Sequence, residues 1–277
     1  MSHNVSSCDP MTRRDFLAAS TTSVAGGLLA PASAASAAAH APAPAPLADA
    51  KLIRDLVSAN HILASEGIVD GYGHVSVRRT AAPDRYLLSR DIAPALVSAD
   101  DILEYDLDSN ALNGEGRAQY RERFIHGEIY RARPDVQAIV HSHSPAVVPF
   151  SISGVALRPV FHMAAFVSQG VPVFDAARDH GIRHLLIQNA ELGRALAGKL
   201  AMKPAILIRG HGVAVVGASL PMAVGRSVYL EQSARIQTQA VALQGGITYL
   251  DSEGADELAL NAYPRAWELW ERRAAGN

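Results

Sequence analysis

The sequence predicts one α/β domain, a mainly antiparallel sheet with helices on its faces, preceded by an N-terminal segment of different composition. Three observations point there. Short apolar runs bounded by turn residues alternate with helix-periodic stretches from residue 48 onward. Nearly half of the 277 residues, 49%, are apolar, enough to bury a large core without disulfides or structural metals. The single cysteine, Cys8, excludes a disulfide framework, a thiolate zinc site and a cysteine nucleophile in everything after it.

The first segment reads as an export signal. Thr12-Arg13-Arg14-Asp15-Phe16-Leu17 puts two adjacent arginines before the weakly apolar run Leu17 to Ala30, which is too short and too polar to form a stable membrane span. Small residues around Ala32 to Ala39 offer Ala-x-Ala cleavage sites, and Ala41-Pro42-Ala43-Pro44-Ala45-Pro46 has the composition of an extended linker. The expectation is a twin-arginine signal over 1–39, a linker over 40–47 and a catalytic domain over 48–277. It implies the twin-arginine export machinery as a partner and a periplasmic or exported product.

Ala48 to Ser65 carries Leu52, Leu56, Ala59 and Leu63 on one helical stripe, with Gly67 as its stop. Val75-Ser76-Val77, Tyr86 to Ser89 and Ile102 to Asp106 read as strands. Arg121 to Arg131 has helical spacing and ends before Arg133-Pro134, and Val136 to His141 is a strand of the buried type. Val171 to Phe174 and Ala205 to Ile208 are further strands, with a helix near Asn189 to Leu200 between them. Gly210-His211-Gly212 turns into Val213 to Val216, a hairpin partner of the preceding strand. Pro221 and Gly245-Gly246 bound a long helix, and Ala255 to Arg273 forms the last.

Charge narrows the function. With 25 basic and 27 acidic residues the net charge is −2, so no basic field for nucleic acid exists. Only Lys51, Lys199 and Lys203 are lysines, which counts against Schiff-base chemistry. His141 and His143 stand two apart at a strand end, so both rings face one side and can share an ion. His211, between two glycines at another strand end, is the candidate third ligand; a turn histidine bonded to backbone is its competing use. Glu122 and His126, four apart on the helix leading into this strand, share a face, which would deliver a carboxylate beside the ion for proton transfer. A surface pair with Arg121 or Arg123 is the competing use of Glu122. His126 suits a buried structural role, and Glu128 should point to solvent.

The string Glu122-x-x-x-His126-x-x-x-Tyr130, then Arg133-Pro134-Asp135-Val136, Ala138 to Pro145 with its His-Ser-His, and Gly210-His211-Gly212 resembles the class II aldolase/adducin domain, from about Leu52 to Leu243. The resemblance implies a three-layer α/β/α sandwich around a mainly antiparallel nine-stranded sheet. It also implies one divalent ion per subunit, zinc or manganese before iron or cobalt, on His141, His143 and His211, with Glu122 as catalytic acid/base. The sugar-phosphate aldolases of that family hold phosphate with a Gly-Asn-x-Ser turn and a Ser-Ser pair before the glutamate. This chain has Gly73-His74-Val75-Ser76 and Tyr120-Arg121 instead. It is more similar to the branch decarboxylating hydroxylated aromatic or pyridine carboxylates, on Gly73, His74, Ser76, Ser89, Arg90 and Arg209, which are taken as substrate-binding. Arginine forks suit carboxylates, although an ion pair inside the fold is the competing use of Arg90 and of Arg209.

The expected activity is therefore a metal-dependent carbon–carbon lyase, in which an ion chelated by adjacent substrate oxygens holds the electrons left by cleavage as an enolate or phenolate. Decarboxylation of a ring acid stands ahead of aldol cleavage of a hydroxy-ketone, epimerisation or dehydration on the same ion, and a non-catalytic adducin-like scaffold. Adducin-like heads lack the histidine set, so the intact set argues against the last. His162, in Phe161-His162-Met163-Ala164-Ala165, matches a tyrosine that in the family's aldolases reaches a neighbouring subunit's metal site and donates a proton, so the resemblance implies His162 as a second catalytic residue, a proton donor to the ring carbon. It implies a homo-oligomer, expected as a tetramer, with intersubunit active sites; a packed or surface histidine is its competing use.

Overall fold

The computed structural model describes residues 47–181, 185–250 and 255–276; the expected signal and most of the linker lie outside them. The elements run α1 (Leu47–Ser65), β1 (His74–Arg78), β2 (Arg85–Ser89), β3 (Ile102–Asp106), α2 (Arg123–Ala132), β4 (Ala138–Ser142), α3 (Val148–Ile152), β5 (Val173–Phe174), α4 (Ala176–His180), α5 (Ala190–Leu200), β6 (Ala205–Ile208), β7 (Gly212–Gly217), α6 (Leu220–Ala242) and α7 (Ala255–Ala274). Among the described residues the sheet has seven strands, in the order β3-β2-β1-β4-β7-β6-β5, where the resemblance implied nine. Every neighbouring pair is antiparallel except β5 with β6.

The period-2 alternation of the strands builds the three layers. Tyr86 and Leu88 of β2, Ile139 of β4, Ile206 and Ile208 of β6, and Ala214 and Val216 of β7 face α2 and α5, packing on Ile125, Ile129, Leu192 and Leu196. The alternate residues face the other way. Val75, Val77, Leu87, Ala138 and Val140 meet Leu56, Ala59, Ile62 and Leu63 of α1 and Val224 and Val228 of α6. Ala205, Leu207, Val213 and Val215 meet Phe150 of α3 and Leu230 and Ala234 of α6. With apolar side chains on both faces the strands read as nearly continuous hydrophobic runs, as a doubly covered sheet requires.

Two predicted boundaries shift for local reasons. Asn189 and Ser219 cap α5 and α6 by accepting from the amides of Leu192 and Met222, so Asn189 stands outside its helix and α6 begins one residue before Pro221. The helix expected from Arg121 begins at Arg123, with Glu122 preceding it at φ −91°, ψ 17°. Helices α3 and α4 and three short 3-10 helices are too brief to leave a periodic signal.

Candidate metal centre

The register of three strands assembles the site. In β4, His141 lies opposite His74 of β1 on one side and Ala214 of β7 on the other. It shares the parity of Ile139, so its ring enters the layer of α2 and α5. His143 follows two residues on, just beyond the strand. His211 tips the β6–β7 hairpin, closed by the pairing of Ile208 with Gly212 and by the His211 amide on the Ile208 carbonyl at 3.0 Å. Gly212 allows the close approach: a Cβ there would collide with the Ser142 carbonyl and lie 3.2 Å from the His143 ring. Glu122 enters from the turn before α2.

One ligand atom from each of Glu122, His141, His143 and His211 can be chosen so that all four lie within 4.8 Å of one another. Glu122 Oε2 is 3.2 Å from His211 Nε2 and 3.4 Å from His141 Nε2, and the His143 and His211 Nε2 atoms are 3.0 Å apart. His141 donates from Nδ1 to the Val213 carbonyl at 3.1 Å, and His211 from Nδ1 to the Leu185 carbonyl at 3.0 Å, which leaves Nε2 of each as a lone pair facing the cluster. His141 Nε2 is buried with no hydrogen-bond partner. Three imidazoles, one carboxylate and a buried orphan nitrogen aimed among them fit a divalent cation. Burial opposes ionisation of Glu122, but His141 and His211 beside it outweigh that and hold its carboxyl far below the usual range. Burial lowers His211, and the contact with Glu122 more than offsets it, raising the ring's pKa. His143, desolvated and crowded by the other two rings, is depressed to about 4.

The site opens into a cleft of about 270 Å³ lined by Tyr72, Gly73, His74, Asp91, Tyr120, Arg121, Glu122, His141, His143 and Leu186. Gly73 has φ +90°, and a Cβ would sit 2.7 Å from Val69 Cγ1 and 3.0 Å from the His141 carbonyl, so glycine alone lets this turn pass β4. Of the expected substrate contacts, Gly73 and His74 line the cleft. Four others stand elsewhere in this chain. Ser76 is fully buried between His126 and Tyr130. Ser89 is buried 3.4 Å from the Tyr120 hydroxyl. Arg90 pairs with Asp101 at 2.6 Å, and Arg209, largely exposed, pairs with Asp175 at 3.2 Å. Each arginine thus has a carboxylate of its own chain within reach.

His162 is exposed, against the Phe161 ring, and is not among the residues lining the cleft of its own chain. Glu128, expected in solvent, is buried under α5, with Arg194 at 3.4 Å and Arg131 at 3.5 Å compensating it. The cleft arginine is Arg121, which stands where the family's sugar-phosphate aldolases carry a phosphate-binding serine and which the sequence did not single out as a substrate contact. Glu122 takes the Ile187 amide at 2.9 Å on Oε1. The brace formed by Leu185 and Ile187 acts through backbone atoms, so no residue type could have signalled it.

Residues 54–238 match the family described as Class II Aldolase and Adducin N-terminal domain. The chain is 38% identical over 246 residues to decarboxylase tropJ of Talaromyces stipitatus, spanning 79% of this chain and 92% of that protein. It is 31% identical over 217 residues to a 3,4-dihydroxyphthalate decarboxylase of Arthrobacter keyseri, spanning 72% and 83%. A solved aldolase II superfamily protein from Pseudomonas syringae matches at a TM-score of 0.70 over 83% of this chain and 94% of its own, and at 20% identity it shows the fold alone.

Proposed function

This chain belongs to the class II aldolase and adducin family, and we propose that it is a metal-dependent decarboxylase of hydroxylated aromatic or heteroaromatic carboxylates. The observation that carries the reading is the Glu122, His141, His143, His211 cluster opening onto a cleft that also holds Arg121 and His74. His141, His143 and His211 would hold the ion, which when bound supplies a Lewis acid for negative charge developing on substrate oxygen.

The chain's own groups do the rest. Arg121 offers a guanidinium fork to a substrate carboxylate. Glu122 enters ionised, so Oε2 takes the proton of a ring hydroxyl. The bond from ring carbon to carboxylate then breaks, carbon dioxide leaves, and the electron pair stays on the ring. Glu122 returns the proton to that carbon, which balances the reaction without a further reactant. Tyr120 donates its hydroxyl to the Ile92 carbonyl at 2.5 Å, so it contributes a ring face rather than a proton.

The finer reading takes zinc or manganese as the ion and a homotetramer in which His162 completes a neighbouring subunit's site. It also keeps residues 1–39 as a twin-arginine signal delivering folded enzyme to the periplasm. No helix among the described residues is long and apolar enough to cross a membrane. The test is carbon dioxide release from a panel of hydroxylated benzoates, phthalates and pyridine carboxylates by metal-loaded protein, beside aldol cleavage of phosphorylated hydroxy-ketones. Release from a ring acid is expected. Efficient cleavage of the ketones with no release from any acid would overturn it.

A further inference from the structure

Behind the cleft, four side chains form one buried hydrogen-bonded line. His74 Nδ1 meets His126 Nε2 at 2.7 Å, His126 Nδ1 meets Ser76 Oγ at 2.6 Å, and Ser76 Oγ meets the Tyr130 hydroxyl at 2.8 Å. Ser76 and His126 are 0% exposed and Tyr130 1%, so solvent supplies no substitute partner.

The direction of these bonds follows from a count of hydrogens. Among the described residues, the Tyr130 hydroxyl has Ser76 as its one side-chain partner, and Ser76 has only Tyr130 and His126. If His126 donated from Nδ1 to Ser76, either the serine or the tyrosine hydrogen would be left without an acceptor in a dry interior. One arrangement satisfies every group: Tyr130 donates to Ser76, Ser76 donates to His126 Nδ1, and His126 donates from Nε2 to His74 Nδ1. A neutral His74 that accepts at Nδ1 carries its own hydrogen on Nε2, the nitrogen left to meet the cleft that the ring lines. His74 is only 5.0 Å, centroid to centroid, from the ligand His141, yet the four-residue ligand cluster does not include it.

We propose that Tyr130, Ser76 and His126 are positioning residues that fix His74 as its Nε2–H tautomer, so that His74 meets substrate as a hydrogen-bond donor to an anionic oxygen and is withheld from the metal. The line points a hydrogen, never a lone pair, into the cleft. This deepens the decarboxylase reading by assigning part of its carboxylate recognition to His74, and it rests on that reading for the substrate's identity alone.

The decisive measurement is the tautomer, read from imidazole 15N shifts and long-range 15N–1H couplings in the zinc-loaded full chain, with His74→Gln used for assignment. In the unmodified protein His74 should show a protonated Nε2 and an unprotonated Nδ1. A protonated Nδ1 or a doubly protonated ring would overturn the proposal. Ser76→Asp replaces the hydroxyl with an acceptor, which should reverse the line, move the His74 hydrogen to Nδ1 and raise KM at least tenfold. Ser76→Thr keeps a hydroxyl, so tautomer and KM should stay within about threefold of the original. A folded Ser76→Asp protein that retained the Nε2–H form would also defeat the idea. The Nε2–H signature in a protein that releases no carbon dioxide from any ring acid would leave the tautomer assignment standing and defeat the decarboxylase reading instead.

Discussion

Glu122 stands between two roles, because its carboxylate lies within the candidate metal cluster and is also the one ionised group there free to carry a proton. The charge is indispensable for the second role and helpful for the first. Glu122→Gln keeps the shape and the Ile187 contact, so turnover should fall by roughly two to four orders of magnitude while one ion per subunit is still found by elemental analysis at saturating metal. A fall below tenfold would return Glu122 to a structural role. His126 makes a separate prediction about pH. Its folded pKa, held by burial at about 3, lies below that of the unfolded ring, so below about pH 6.5 the unfolded chain takes up a proton that the folded one refuses. Stability of the metal-free protein should therefore fall as pH drops from 6.5 toward 3, by up to about 1.4 kcal/mol per pH unit for this group. His126→Gln should make that dependence shallower in chemical denaturation at stepped pH, whatever it does to stability at pH 7.

Helix α6 reaches the loop after β4 through Glu231. This buried carboxylate accepts from the Ser144 hydroxyl and from the Ala146 amide at 3.2 Å, pinning the loop that follows His143, and is compensated by Arg235 at 2.6 Å. Glu231→Gln loosens the loop after His143 rather than a ligand's own hydrogen bond, so it should lower metal affinity by about tenfold, the lower end of the scale for outer contacts, with little change in helix content. Competition against a zinc-chelating dye would measure it. The β6–β7 hairpin holds His211 by a different device, the missing side chain at Gly212. Gly212→Ala must push the hairpin away from β4, so the circular dichroism spectrum should survive while the metal site is lost.

At the level of the assembly, the exposed His162 on its short 3-10 helix is the group whose proposed role would need a second copy. If it completes a neighbour's site, mixing inactive Glu122→Gln subunits with inactive His162→Ala subunits should restore part of the activity through hybrid sites. Full activity of His162→Ala alone, or no recovery after verified subunit exchange, would end that proposal. What the sequence determined for the whole molecule is whatever spacing along one element decides. The strand alternation that makes three layers, the His141–His143 pair on one face and the hairpin carrying His211 are all set within a few residues of chain. Side chains with several possible partners escaped that logic. Arg90, Arg209 and Glu128 each found an opposite charge from a distant segment, and a long charged side chain takes the partner that folding brings nearest. Arg121, Tyr120 and the Leu185–Ile187 backbone became part of the site for the same reason. Only the packing of α2 and α5 against β1, β4 and the β6–β7 turn decides which polar groups converge, because hydrogen bonds and ion pairs depend on distance in space, while sequence patterns record distance along the chain.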